Sequence, residues 1–229
     1  MIITCPFLSQ LPGIKHAFFN ANPNILTSER TQAMETMADN PLPLVTLKQV
    51  HGNKVIHITQ PLEEPIEGDG LVTRARGIVL GILTADCGPV LFCDPVAGVI
   101  GACHAGWRGA KDGILQETLK AMEEQGAVRS QIHATLGPTI QQKNYEVGPE
   151  FPAYFHKSYE TYFYPSPKEG HHYFDLPLYI YNQLLDEKIA CVHDIDKNTF
   201  TENFSSRRRL LSHGRKKIKF CNLSAIAII

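Results

Sequence analysis

Three residues, His51, Cys87 and His104, carry side chains that can bind one metal ion together. Each lies at the predicted end of a strand or in a turn, with a glycine nearby that permits close approach of two backbone segments. One thiolate and two imidazoles give Zn²⁺ three protein ligands and leave its fourth tetrahedral position for water, as in catalytic zinc sites. Because zinc lowers the pKa of such a water toward ~7, the pattern fits hydrolytic chemistry.

Cys87 also fits a different chemistry. It is a candidate nucleophile with His104 as its base, and no short C-x-x-C or H-E-x-x-H spacing connects the three residues. Asp86 precedes Cys87, and its carboxylate would either orient a histidine or close a turn. Residue types and spacing alone therefore leave a metal site and a cysteine nucleophile both open.

Short strands are the main elements that would position these residues. The predicted strands are 44–47, 54–59, 78–85, 89–93, 98–104, 132–136, 172–174 and 220–229. A turn at Gly52 and Asn53 separates the first two strands, and the third to fifth strands form a tight meander. The link at 94–98 is too short for a helical crossover, so the strands on either side of it should be antiparallel.

Helices should pack outside these strands. Helical spacing of apolar residues predicts a helix over 111–125, and cap and stop signals predict another at 28–37. A further helix is predicted at 176–188. Gly126 occupies the position of a left-handed cap after the helix at 111–125. Hairpins combined with a few helices indicate an α+β fold, with mixed or antiparallel β-sheets and flanking helices in a single compact domain over 1–229.

The composition is that of an ordinary folded chain. It has 229 residues, 43% hydrophobic and 20% charged, which excludes a disordered, collagenous or coiled-coil protein. The longest mostly apolar run, 77–85, is far shorter than the ~18–20 residues of a spanning helix, and the N-terminus lacks the pattern of an export signal. Six scattered cysteines fit reduced thiols better than a disulfide framework, so we expect a cytoplasmic protein without a membrane partner.

Basic residues are concentrated near the C-terminus. Seven fall within 207–219 with no acidic residue among them, whereas the rest of the chain has 15 basic and 23 acidic residues. The segment fits a solvated loop, an anion or phosphate pocket, or a nucleic-acid patch. The acidic remainder disfavours nucleic acid as a partner, because duplex binding generally uses a basic face across the whole domain.

A series of specific motifs occurs in order along the chain. They are Lys48-Gln49-Val50-His51-Gly52, Gly68-Asp69-Gly70-Leu71-Val72-Thr73, Leu83-Thr84-Ala85-Asp86-Cys87-Gly88-Pro89-Val90, Cys103-His104-Ala105-Gly106-Trp107-Arg108-Gly109 and Leu136-Gly137-Pro138 with Tyr145-Glu146-Val147-Gly148. This set closely resembles the bacterial laccase-domain family, also called multicopper polyphenol oxidase or peptidoglycan editing factor, whose animal relatives act as purine nucleoside enzymes. The resemblance runs from about Arg30 to the C-terminus.

The resemblance implies a ligand set and two reactions. The family's zinc ligands match His51, Cys87 and His104, and copper is an alternative occupant because Cu(II) outcompetes Zn(II) at most such sites. The implied reactions are phosphorolysis of adenosine, inosine and methylthioadenosine and deamination of adenosine. The expected partners are therefore purine nucleosides and phosphate.

These reactions need further residues besides the metal ligands. With Cys87 at the centre of the site, Asp86 and Glu146 are candidates for moving protons to the departing ammonia. Tyr145 is a candidate for stacking on the purine. The candidates for holding phosphate or the sugar are Arg30, Lys48, Arg108 and Arg208.

Two alternative activities compete with a nucleoside enzyme. In a cysteine hydrolase or amidase that acts on cell-wall precursors, Cys87 would attack and His104 would assist. A copper-dependent polyphenol oxidase is disfavoured because copper-binding histidines in blue multicopper oxidases come largely in H-x-H pairs. The chain has ten histidines but no such pair.

Overall fold

Strands dominate the part of the chain that the computed structural model describes, which comprises residues 2–20, 42–215, 217 and 220–229. Within it, fourteen strands form three sheets, connected by four α-helices and five short 3-10 helices. This is the mixed α+β class that the sequence predicts. The helix predicted at 28–37 lies outside the described residues.

Five strands form the first sheet. In spatial order they are β1 (Ile2–Ile3), β2 (Ile14–Phe19), β14 (Asn222–Ile228), β6 (Val79–Thr84) and β3 (Leu44–Val45). Neighbours are antiparallel except β3 and β6, which are parallel. Every residue of β14 is buried, because alternate side chains enter two different apolar clusters. Burial on both faces explains the uninterrupted apolar run from Ala225 to Ile228.

Six strands form the second sheet. In spatial order they are β13 (Cys191–Asp194), β9 (His133–Leu136), β7 (Gly88–Asp94), β8 (Val99–Ala105), β5 (Gly70–Thr73) and β4 (Val55–His57). The pairs β13–β9 and β4–β5 are parallel and the others are antiparallel. The predicted antiparallel pairing of β7 with β8 is confirmed. Leu91 and Ile100 of this sheet share a cluster with Leu80 and Ile82 of the first sheet, so the two sheets pack face to face.

The predicted meander is wrong at its first link, because β6 and β7 belong to different sheets. The chain crosses between them at Asp86 and Cys87, and Asp86 has a φ of +92°. Both strands are nearly or fully buried, and each lies between two hydrogen-bonded neighbours in its own sheet. Pairing on both edges satisfies more backbone groups than a hairpin between β6 and β7 would. Similarly, β3 and β4 lie on either side of the predicted turn at Gly52 and Asn53 but join different sheets.

A small third sheet covers an aromatic cluster. Its antiparallel strands are β10 (Glu146–Val147), β12 (His172–Phe174) and β11 (Phe163–Pro165). The ring of Phe155 lies 5.2 Å from that of Phe174 and 5.5 Å from that of Tyr179. These contacts extend the core on the side of the second sheet that faces the helices.

The four α-helices are α1 (Trp107–Lys111), α2 (Ile114–Glu124), α3 (Leu176–Asp186) and α4 (Arg207–Ser212). The helix predicted at 111–125 is α2, and Gly126 after it has the left-handed φ of +94° that the sequence predicts. The predicted helix at 176–188 is α3 and ends two residues earlier. No helix in the described ranges is long and apolar enough to cross a membrane.

Candidate metal centre

The structure brings the side chains of His51, Cys87 and His104 together at one end of the two packed sheets. Cys87 lies at the crossing between β6 and β7, His104 lies near the end of β8, and His51 follows β3. Their ligand atoms all lie within 4.8 Å of one another, and they form the one such group of three in the described part of the chain. The imidazole rings of His51 and His104 are 4.7 Å apart and nearly perpendicular. This cluster can hold a metal ion.

The buried carboxylate of Asp69 organises two of the three candidate ligands, His51 and His104. Its Oδ1 accepts hydrogen bonds from the backbone N–H of His51, at 2.9 Å, and from Nδ1 of His104, at 2.8 Å. Its Oδ2 accepts from the backbone N–H groups of Val50, at 3.1 Å, and Gly52, at 2.9 Å. These bonds hold His51 at a φ of +63°, a conformation that costs a non-glycine residue energy.

The contact with Asp69 also sets the protonation of His104. Burial raises the pKa of Asp69, but hydrogen bonds from His104, Gly52 and Val50 more than offset this and leave the pKa below its usual value. Because an ionised carboxylate can only accept, Nδ1 of His104 carries the proton. The other nitrogen, Nε2, is then the atom that His104 offers to a metal. Carboxylate partners of this kind are usual for metal-binding histidines.

Cys87 is poised to be a thiolate in the metal-free protein. Burial raises its pKa, but the adjacent His104 and His51 outweigh burial and lower the pKa to about 6. Burial lowers the pKa of His104, whereas Cys87 and Asp69 raise it to about 9. A thiolate and an imidazolium therefore lie side by side near neutral pH. A metal cation held by these residues would replace the imidazolium proton.

We expect metal-free protein to be alkylated by iodoacetamide at Cys87 with a midpoint near pH 6. The thiolate is the reactive form, so the rate should rise as pH increases through the folded pKa and level off by neutral pH. Peptide mass spectrometry of samples alkylated between pH 5 and 10 measures this profile. Cys221 is an internal control, because burial raises the pKa of its thiol and its profile should lie at higher pH. Coincident profiles for the two cysteines would contradict the charge arrangement around Cys87.

Two local features hold the loop of His51 against the strands. The Gln49 side chain donates to the carbonyl oxygen of Leu83 and accepts from its N–H, both at 2.8 Å, so it binds the end of β6 as a neighbouring strand would. A Cβ on Gly109 would lie 2.8 Å from the carbonyl oxygen of Gly52. Only glycine at position 109 allows this close approach between α1 and the loop.

The cluster opens into a cavity of about 710 Å³. Besides the three ligands, the lining residues are Leu47, Gln49, Leu83, Thr84, Ala85, Trp107, Arg108, Arg207 and Cys221. Two of these are arginines and none is acidic, so the wall favours an anionic or electron-rich ligand. The Trp107 ring is backed by Phe151 at 4.8 Å, and the Arg108 guanidinium lies 5.0 Å from its centre.

Asp86 connects the crossing at Cys87 to the C-terminal part of the chain. Its Oδ1 accepts from the Thr199 hydroxyl and its Oδ2 from the backbone N–H of Arg208, both at 2.7 Å. Both carboxylate oxygens are thus engaged by the protein. The proton-transfer role predicted for Asp86 stays a prediction. The geometry shows a bond between the turn at Asp86 and Cys87 and the start of α4.

Four of the other predicted site residues, Lys48, Tyr145, Glu146 and Arg208, do not line the cavity. The Glu146 carboxylate accepts a hydrogen bond from the Ser166 hydroxyl. Lys48 is exposed and forms an ion pair with Glu67 at 2.8 Å. The Arg208 guanidinium lies 5.0 Å from the centre of the Tyr145 ring. Arg30 lies outside the described residues, and among the described candidates for holding phosphate or the sugar only Arg108 lines the cavity.

Sequence reasoning assigned no role to several residues that the structure places at the site. Asp69 stands in the motif from Gly68 to Thr73, where a carboxylate between two glycines at the start of a strand indicates a special role. Trp107 and Thr84 also stand in quoted motifs. Arg207 belongs to the basic segment, but nothing in the sequence separates it from its neighbours.

The chain is similar to known proteins in both sequence and fold. The family described as multi-copper polyphenol oxidoreductase laccase matches residues 19–220. A purine nucleoside phosphorylase of Rickettsia conorii is 33% identical over 171 residues, which cover 72% of this chain and 70% of that protein. Adenosine deaminase RL5, from an unknown prokaryotic organism, is 38% identical over 144 residues, 59% of this chain and 55% of that protein. The crystal structure of Neisseria meningitidis protein NMB0706 has a TM-score of 0.80 and 26% identity, with 95% of each chain covered.

Proposed function

The chain belongs to the multi-copper polyphenol oxidoreductase laccase family, and we propose that it is a zinc-dependent purine nucleoside enzyme. In this proposal it cleaves adenosine, inosine and methylthioadenosine by phosphorolysis and also deaminates adenosine. One observation carries the proposal: a cluster of one thiolate and two imidazoles forms part of the lining of a cavity of about 710 Å³. That volume lies within the usual range for small-molecule sites, about 300–1,000 Å³.

The donor set favours zinc over a multicopper centre. One sulfur and two nitrogen ligands suit a tetrahedral Zn²⁺ with one open position. A four-copper oxidase needs several such clusters, whereas the described residues contain this one. Copper can occupy the same ligands adventitiously because of its higher affinity. When bound, zinc supplies Lewis acidity and an activated water for hydrolysis.

The chain's own residues have distinct tasks in this proposal. His51, Cys87 and His104 hold the ion, and Asp69 fixes the two imidazole-bearing segments. Trp107 takes the purine-stacking role that the sequence suggested for Tyr145, because Trp107 lines the cavity. Glu146 stays the candidate proton carrier for the departing ammonia.

The two reactions have different products and a different need for phosphate. In phosphorolysis a phosphate oxygen bonds to C1′ of the ribose while the bond from C1′ to the purine nitrogen breaks. The electron pair leaves with the purine, which takes up a proton. In deamination water adds at the carbon that bears the amino group, and ammonia leaves.

Incubation of purified protein of known zinc content with adenosine tests the proposal directly. With phosphate we expect adenine and ribose 1-phosphate, and without it inosine and ammonia, both resolved by chromatography. A chelator should abolish both product sets and added zinc should restore them. If zinc-loaded protein forms neither product set, the proposed function is wrong.

A cysteine hydrolase is the second candidate, favoured by one observation. The pKa of Cys87 is lowered to about 6 beside His104, as an activated nucleophile requires. The Cys87 sulfur cannot act as a free nucleophile while it binds zinc, so the two candidate functions exclude each other. Protection of Cys87 from iodoacetamide by zinc, with activity retained, would favour the metal enzyme. Loss of activity on alkylation of zinc-loaded protein would favour the hydrolase.

A further inference from the structure

One wall of the cavity combines two arginines with a buried hydroxyl. Arg108, Arg207 and Thr84 line the same cavity as the metal ligands. We propose that these three residues form a binding subsite for inorganic phosphate. The inference rests on the proposed function, in which phosphate is the co-substrate of phosphorolysis, and it assigns that co-substrate a place beside the metal centre.

The Thr84 hydroxyl is the strongest sign of a ligand. Thr84 is only 2% exposed, and its Oγ1 has no hydrogen-bond partner among the described residues. A buried polar group without a partner destabilises the folded protein, because it has lost its hydrogen bonds to water. The nearby Gln49 side chain differs, because it makes two hydrogen bonds with the backbone of Leu83. A ligand oxygen in the cavity would accept the hydrogen bond that the protein leaves unmade.

The two guanidinium groups supply the charge. Within the described ranges, neither Arg108 nor Arg207 forms an ion pair or a side-chain hydrogen bond. Arg129 differs, since it pairs with Glu123 and Glu187. Arginine presents its N–H donors in a planar fork that matches two oxygens of a phosphate, so a pair of unpaired arginines suits a dianion.

Asp86 fixes the position of Arg207 relative to the metal ligands. Its carboxylate binds the backbone N–H of Arg208, the residue after Arg207, and Asp86 is itself the residue before Cys87. The start of α4 is further held by Ser206, whose hydroxyl accepts from the N–H of Arg209 at 3.1 Å. The first turn of α4 is therefore tied to the turn at Asp86 and Cys87 by the 2.7 Å bond between Asp86 and Arg208.

The two other described candidates from the sequence fit this role less well. Lys48 is already paired with Glu67 at an exposed position. Arg208 directs its guanidinium over the ring of Tyr145, outside the cavity lining. The adjacent residue Arg207 is the one that the start of α4 presents to the cavity.

Calorimetric titration of zinc-loaded protein with inorganic phosphate tests the subsite without relying on turnover. Arg207→Gln should weaken phosphate binding about tenfold or more, as loss of a charged hydrogen bond does, and Thr84→Val should weaken it about fivefold. Thr84→Ser keeps the hydroxyl and should bind phosphate like the unmodified protein. Arg74→Gln removes a positive charge from an exposed position outside the cavity lining and is the matched control.

The outcomes separate the subsite from the proposed function. Unchanged phosphate affinity in both Arg207→Gln and Thr84→Val overturns the subsite, since phosphate would then bind the metal or another surface. Equal weakening in Arg74→Gln also overturns it, because the effect would be one of net charge. If phosphate binding weakens as expected but the unmodified protein never forms ribose 1-phosphate, the subsite stands and the phosphorolytic function fails.

Discussion

Cys87→Ala is expected to lower zinc affinity by more than about 100-fold and to remove adenosine turnover in the same proportion. Loss of an outer partner of a metal ligand already costs about 10–100-fold in affinity, and here the ligand itself is lost. Cys87 supplies the one thiolate of the cluster, and its charge is stabilised by His104 and His51 before metal binds. His51→Ala and His104→Ala should behave in the same way.

Competition with a chromogenic chelator measures the zinc affinity of each variant, and nucleoside products are measured on the same samples. Cys191→Ala is the matched control, because Cys191 is another partly buried free thiol, in β13, and lies outside the cluster. It should keep zinc at one ion per chain. Stoichiometric, tightly held zinc in Cys87→Ala would remove Cys87 from the ligand set.

Asp69→Asn is expected to destabilise the fold by about 3 kcal/mol and to weaken zinc binding by about 10–100-fold. Four N–H groups donate to the two oxygens of Asp69. Each oxygen accepts from two of these N–H groups. The amide introduced by Asp69→Asn would place an NH₂ group where one oxygen was, so in either orientation of the amide two N–H groups would face a donor instead of an acceptor. The variant should lose the orientation of His104 and the conformation of the His51 loop together.

Asp94→Asn is the control that separates the loss of fold stability from the loss of zinc affinity in Asp69→Asn. Asp94 is equally buried, lies at the opposite end of β7 from Cys87, and accepts from the N–H groups of Val96, Ala97 and Val128. It should lower the free energy of unfolding of the metal-free protein, measured by urea titration, by a similar amount. Its zinc affinity should not change. Equal zinc affinity in Asp69→Asn and Asp94→Asn would show that Asp69 does not orient a ligand.

Local sequence patterns predicted most of the secondary structure. The apolar residues of α2 repeat at helical spacing, and the short link at 94–98 requires the antiparallel pairing of β7 with β8. The placement of β6 and β7 in different sheets was missed. A short link between two apolar strands fits a hairpin as well as a crossing, and the choice depends on β14, which is distant in the sequence.

The cluster of His51, Cys87 and His104 was accessible from the sequence because each member stands in a specific motif. The role of Asp69 could not be predicted from the sequence. Its hydrogen bonds reach residues 18 and 35 positions away and depend on the pairing of strands β5 and β8. Arg207 and Arg208 illustrate the same limit. They are neighbours of identical type, and only the direction in which α4 begins, set by Asp86, distinguishes them.

The most direct test of the central claim is zinc-edge X-ray absorption of the protein loaded with one equivalent of zinc. We expect one sulfur at about 2.3 Å and two imidazole nitrogens at about 2.0–2.1 Å, with a lighter fourth atom from solvent. The sulfur contribution should disappear in Cys87→Ala. A shell of oxygen and nitrogen alone, or a sulfur signal that survives in Cys87→Ala, would contradict a shared ion at His51, Cys87 and His104.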